Sequence, residues 1–226
     1  MGRIAGHVVA DALRLTTPAV PLLSARGLTC VREELPLFAP IGFDLPAGGV
    51  VVLEGRNGAG KTTLMRALLG LHPLQVETLS LRGIDVREER HPLGAATHFL
   101  GHLLALKGDL SVAENIRYSL AIAGEPVPAD IDALCEEVGL AGYEHTAARS
   151  LSAGQRKRAA LARLAASRRP LWLLDEPLAN LDSEGMALVD RLIGRHLDAG
   201  GGAMLSSHGV LPIGHPAQRV RLEAYP

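Results

Sequence analysis

The stretch Gly55-Arg56-Asn57-Gly58-Ala59-Gly60-Lys61-Thr62-Thr63 constrains this chain more than any other. It fits G-x-x-x-x-G-K-[ST], in which glycines let the backbone curl with its N–H groups turned inward around a phosphate. The pattern works only between a strand and a helix. The flanking residues supply both: Val50-Val51-Val52-Leu53 is an uninterrupted apolar run, and Leu64, Leu68 and Leu69 recur at helical spacing. The positive end of that helix adds to the anion site. Lys61 can reach the β- and γ-phosphates of a nucleoside triphosphate, and the Thr62 hydroxyl can hold Mg²⁺.

A chain of 226 residues can bury a sizeable core without a disulfide or metal staple. Its net charge of −1 argues against a nucleic-acid binder that works by bulk attraction. Cys30 and Cys135 lie far apart and form no ligand pair, a usage that suits a reducing cytosol. The longest uncharged apolar runs, such as 99–106, fall short of the ~20 residues of a membrane span, so any membrane role is expected to be peripheral. Residues 1–21 differ from the rest. Asp11 and Arg14 interrupt a mildly apolar start, and Pro18 and Pro21 punctuate it. This lead is expected to be a disordered extension, or one arising from an upstream start codon, with 22–226 as a single domain.

Along the chain, 22–30 and 37–45 alternate as strands do, with 32–34 as a polar turn. Residues 50–54 suit a buried strand, and 62–70 a helix that stops at Gly70. Residues 78–82 alternate again, and 98–100 read as a short strand. Ser111 with Glu114 predicts a capping box and a helix start. Helices are expected over 131–138, 155–167 and 183–197, and strands over 171–174, 203–206 and 219–222. Alternating strands and helices predict an α/β fold with a largely parallel sheet, interrupted by a helical block over about 104–168.

Two further stretches carry chemistry. Leu171-Trp172-Leu173-Leu174 is a buried strand that delivers Asp175 and Glu176 to its carboxyl end, the edge where α/β sheets bind ligands. Asp175 can hold Mg²⁺ opposite Thr62. Glu176, one residue on, is expected to face away from Asp175 and to polarise the attacking water. Leu151-Ser152-Ala153-Gly154-Gln155 opens a helix, with Ser152 as N-cap and the small Ala153 and Gly154 leaving its end open. Taken alone, that is an ordinary helix start.

Together these stretches resemble the ATP-binding subunits of ABC transporters, over about residues 22–223. The order is that family's: phosphate loop, helical subdomain, LSGGQ signature (here LSAGQ), then an apolar strand ending in Asp-Glu. Ala179-Asn180-Leu181-Asp182 matches its D-loop, and Ser207-His208 its switch histidine, a γ-phosphate sensor. The resemblance implies a P-loop ATPase core with an antiparallel β subdomain and an inserted helical subdomain. It also implies a head-to-tail pair of copies, in which each ATP lies between 55–63 of one and 151–155 of the other. Integral-membrane permease subunits are the further partners it implies.

Two family features are missing. No aromatic stands near Arg32, where one normally stacks on adenine, although a guanidinium plane can stack there. The usual glutamine before the helical block is absent; its slot falls at about His102 or Leu103, so a water or His102 has to substitute. Within the family, Phe99-Leu100-Gly101-His102, Leu106-Lys107 and Leu110-Ser111-Val112-Ala113-Glu114-Asn115 are similar to the cytochrome c biogenesis ATP-binding subunits of CcmA type. That implies haem export, or ATP-driven release of haem-loaded chaperone, from the cytoplasmic face of a bacterial inner membrane. The nine histidines include no tight ligand cluster, so direct haem binding by this chain is not expected. The alternatives are a subunit of another small-molecule exporter, and a regulatory ATP-binding module with little hydrolysis. The arginines around 156–169 spread over several sides of their helix, which predicts a solvated or intersubunit face rather than a nucleic-acid stripe.

Overall fold

The computed structural model describes residues 20–179, 181–207, 214–223 and 225; most of the N-terminal lead lies outside them. The chain opens with β1 (Leu23–Arg32), β2 (Leu35–Pro36) and β3 (Ile41–Leu45). Next, β4 (Val50–Glu54) leads through the glycine loop into α1 (Lys61–Leu68). Short strands β5 (Leu74–Gln75), β6 (Thr78–Leu81) and β7 (Ile84–Asp85) precede α2 (His91–Ala95) and β8 (Thr97–Leu100). The helical block holds α3 (Val112–Ala123), α4 (Ile131–Glu137) and α5 (Ala153–Ala166). It returns to β9 (Leu171–Leu174), α6 (Ser183–Asp198), β10 (Gly202–Ser207) and β11 (Ala217–Arg221).

Among the described residues, five strands form a wholly parallel sheet in the order β11-β4-β10-β9-β8. β1 is the hub of an antiparallel sheet: it pairs with β3 and β2 along one edge and with β6 and β5 along the other. Period-two alternation splits β4 between two cores. Val50 and Val52 pack with Trp172, Leu174 and Leu205 against helical side chains such as Ile116, Leu161 and Leu192. Val51 and Leu53 pack with Leu173 and Met204 against Leu64 and Leu68 of α1 and Phe43 and Leu45 of the antiparallel sheet. The parallel sheet is therefore covered on both faces, which is why its strands read as continuous apolar runs. The architecture is that of an ATPase core with an antiparallel β subdomain and an inserted helical block, as the resemblance implied.

Several local expectations are met. Ser111 Oγ accepts the Glu114 N–H at 3.2 Å, and Glu114 Oε2 accepts the Ser111 N–H at 2.8 Å. Gly70, at φ 78°, follows the end of α1. Others are corrected. The two-residue strands β5 and β7 and the short α2 were not legible, because their pairing is set by β1, β6 and β8 rather than by their own sequence. Three of the arginines of α5 and the loop after it are bound within the chain rather than simply solvated. Arg163 Nη1 donates to Leu104 O at 2.9 Å, Arg158 Nη1 to Val138 O at 3.0 Å and Arg169 Nη1 to Thr97 O at 2.6 Å. They tie the helical block to itself and to the sheet through charge-assisted bonds.

Candidate functional site

The loop between β4 and α1 has the backbone its glycines predict. Gly60 sits at φ 98°, and a Cβ there would come within 3.0 Å of the Phe38 ring. Gly58 sits at φ 78° with open space around it, so the hand of the backbone alone excludes a side chain. α1 starts on Gly60 with no side-chain cap. Lys61 is buried, and its Nζ donates to Gly55 O at 2.7 Å and Arg56 O at 3.1 Å, which curls the loop around the ammonium.

At the end of β9 the carboxylates join this loop. The Thr62 hydroxyl donates to Asp175 Oδ2 at 2.8 Å, across 113 residues of sequence. Ser206, fully buried at the end of β10, donates from Oγ to Asp175 Oδ1 at 2.7 Å and accepts the Glu176 N–H at 2.9 Å. One hydroxyl thus aims Asp175 and pins Glu176. The strand stops at Leu174, and Glu176 adopts φ 50°, a left-handed turn that brings it into the cleft beside Thr62. Such a backbone in a non-glycine residue costs of order 1 kcal/mol and persists only where the surroundings impose it.

The cleft has a volume of about 710 Å³. Asn57, Gly58, Gly60, Lys61, Thr62 and Thr63 line it together with Glu176 and with Val31, Arg32 and Leu37, the stretch where a base is expected. Arg56 is exposed and Ala59 is half-buried on the inner side of the loop. Thr62 and Asp175 present hard oxygens at one point. Two such protein ligands completed by substrate phosphates are the donor set a Mg²⁺ ion takes, so these residues fit it.

Sequence reasoning missed Ser206, and it missed Lys157 and His72. Ser206 stands beside Asp175 only because β10 lies between β4 and β9. Lys157 of α5 is pushed down from the ordinary lysine range by burial, against the opposing pull of Asp175 and Glu176. His72 lines the cleft from the turn after α1. No local pattern announces any of the three.

The remaining expected residues lie apart from the cleft. Ser152 is the N-cap of α5: its Oγ accepts the Gln155 N–H at 3.2 Å, and Gln155 Oε1 accepts the Ser152 N–H at 2.9 Å. Leu151 is buried, whereas Ser152, Ala153 and Gly154 are exposed, and a Cβ on Gly154 would meet nothing within 4 Å. None of the five lines the nucleotide-sized cleft. Asp182 caps α6, accepting the Gly185 N–H at 2.7 Å, and lies 3.8 Å from Arg158 Nη2. β10 ends at Ser207; His208 lies outside the described residues.

Residues 38–179 match the ABC transporter family. The chain belongs to that family. As an ABC ATP-binding chain it is 47% identical over 204 residues to the cytochrome c biogenesis ATP-binding export protein CcmA of Xanthomonas campestris pv. campestris, covering 90% of this chain and 94% of that one. It is 39% identical to the CcmA of Hahella chejuensis, covering 92% and 99%. A solved ATP-binding subunit of an ABC transporter superposes with a TM-score of 0.74 at 21% identity, covering 83% of this chain and 79% of that one. In this ABC ATPase, a second hollow of about 360 Å³ opens between sheet and helical block, bordered by Leu71, His98, Phe99, Ile122 and Arg163. Burial, then Arg163, Arg169 and His196, push the His98 imidazole down to about 3, so it is neutral at physiological pH. Among the described residues no helix is long and apolar enough to cross a membrane.

Proposed function

We propose that this chain is the ATP-hydrolysing subunit of an ABC complex for cytochrome c biogenesis, powering haem export or release of a haem-loaded chaperone through membrane subunits. The observation that carries the hydrolytic part is the Thr62–Asp175–Ser206–Glu176 network, which joins the phosphate loop to a positioned base. The CcmA relatives support the cytochrome c part.

In this reading the 55–63 loop and the α1 N-terminus bind the phosphates of ATP, and Lys61 swings from the loop carbonyls toward the β- and γ-oxygens. Thr62 and Asp175 would hold Mg²⁺, which would supply positive charge to the phosphate oxygens. Glu176 orients and polarises the attacking water, with His208 as the γ-phosphate sensor. Arg32 stacks its guanidinium on the base. A second copy presents its 151–155 helix end to the same nucleotide, so ATP closes a head-to-tail pair and hydrolysis opens it, with Asp182 at the junction. The hollow beside Phe99, together with exposed Leu71, Leu103 and Ile122, suits a docking segment of a membrane subunit at the cytoplasmic face of the inner membrane.

The test is twofold. Deleting the gene is expected to abolish haem attachment to c-type cytochromes, and an allele encoding Glu176→Gln is expected not to restore it. Purified chain is expected to hydrolyse ATP slowly alone and faster with its membrane subunits. Normal cytochrome c maturation in the deletion strain, or equal rates with and without the membrane subunits, would count against the proposal.

A further inference from the structure

A third hollow, of about 580 Å³, lies at the N-terminal edge of the parallel sheet, opposite the edge that carries Asp175. Pro170, just before β9, and Gly200 and Gly201, just before β10, border it. It has the size of a small-molecule site and shares no lining residue with the nucleotide-sized cleft. Four arginines reach it from separate parts of the chain. Arg82 comes from the turn between β6 and β7, Arg168 and Arg169 from the loop after α5, and Arg195 from α6. Among its lining residues only Glu137 carries a carboxylate. Positive charge is thus concentrated here in a chain whose net charge is −1.

Two of the four arginines are engaged. Arg195 Nη2 lies 2.5 Å from Glu137 Oε1, and Arg169 Nε lies 3.2 Å from Glu125 Oε1. Arg82 and Arg168 are exposed, and among the described residues no side-chain hydrogen bond or ion pair engages either. Trp172 lines the same hollow, and its indole N–H is buried with no acceptor among the described residues. What is left over here is donors and positive charge. Guanidinium forks match the paired oxygens of phosphate and carboxylate, and like charges gathered in one place repel until an anion joins them. We infer that this hollow is a binding site for a small multivalent oxyanion, held by the guanidinium groups of Arg82 and Arg168. A diphosphate is the simplest ligand of that class. A monovalent carboxylate would leave most of the surplus charge uncancelled. The same phosphate oxygens are presented by a free metabolite or by a lipid headgroup.

The experiment uses the full chain carrying Lys61→Ala, which disables the 55–63 loop as a competing phosphate site, and titrates it with pyrophosphate by calorimetry. Trp172 is the chain's one tryptophan. It stacks on His196 with 3.9 Å between ring centroids, and His196 lines the hollow as well, so its fluorescence reports from this place. Saturable binding is expected, with a matching change in fluorescence. Adding Arg82→Gln and Arg168→Gln together is expected to weaken that binding about tenfold or more, the worth of hydrogen bonds to a charged group. The urea-unfolding midpoint is expected to stay the same, because neither side chain holds a partner in the fold. A second arm replaces pyrophosphate with vesicles of phosphatidylglycerol and phosphatidylcholine. Vesicle binding that the double substitution removes, without pyrophosphate binding, would support the phosphate site and assign its ligand to a lipid headgroup. Pyrophosphate binding equally tight in the doubly substituted chain would place the anion elsewhere and overturn the inference. Absence of binding by both probes would overturn it as well.

Discussion

α1 begins on Gly60 with no side chain capping it, next to the buried Lys61 and within reach of Asp175 through Thr62. α5 begins on Ser152, which exchanges hydrogen bonds with Gln155 and leaves Ser152, Ala153 and Gly154 facing outward. Both ends carry the positive pole of a helix, and the chain treats them in opposite ways. The first keeps its amides free of side-chain caps and surrounds them with the groups that phosphate chemistry needs. The second satisfies part of its own amides through the Ser152–Gln155 box. An uncapped helix end is destabilising in isolation, so leaving α1 uncapped makes sense only where a ligand completes it. Capping α5 keeps that end ordered before anything docks.

This contrast can be broken by substitution. The largest effect is expected from Glu176→Gln, which should lower turnover by ~10²–10⁴ while ATP still binds; phosphate release near that of the unmodified chain would remove Glu176 from the base role. Next, Lys61→Ala should weaken ATP binding roughly 10–100-fold, as loss of charge-assisted bonds to phosphate does, and equilibrium binding reads this directly. Ser206→Ala follows. It strips a buried Asp175 oxygen and the Glu176 N–H of their shared partner. The expected cost is ~1–3 kcal/mol in urea unfolding, together with slower turnover. A stable, fully active variant would show that the hydroxyl positions neither carboxylate. The smallest effect is expected from Ser152→Ala, about 1 kcal/mol of stability from the lost cap, with ATP affinity of the separate chain unchanged. A fall in that affinity would erase the distinction between the two helix ends.

The elements whose reasons are local were readable in advance. The capping boxes at Ser111 and Ser152 are written within four residues each, and the helices they open start where those residues stand. The buried strands β4 and β9 announced themselves as apolar runs. The left-handed backbone of Glu176 did not, because it is held by a hydroxyl from another strand. The inward bonds of Arg158 and Arg163 in α5 were not legible for a similar reason. Their acceptors are backbone carbonyls at 104 and 138, set by how the helical block folds back.

By itself, the sequence determined the 55–63 loop, the acidic end of β9 and the capped start of α5. In each, a short run of residues carries its own backbone preference and its own chemistry. Only the tertiary structure decided that Thr62 meets Asp175 and that Ser206 binds both carboxylate residues. Those meetings follow from the strand order β4-β10-β9-β8. Strand order is settled by burying both faces of the sheet at once, a condition no single stretch of the chain contains.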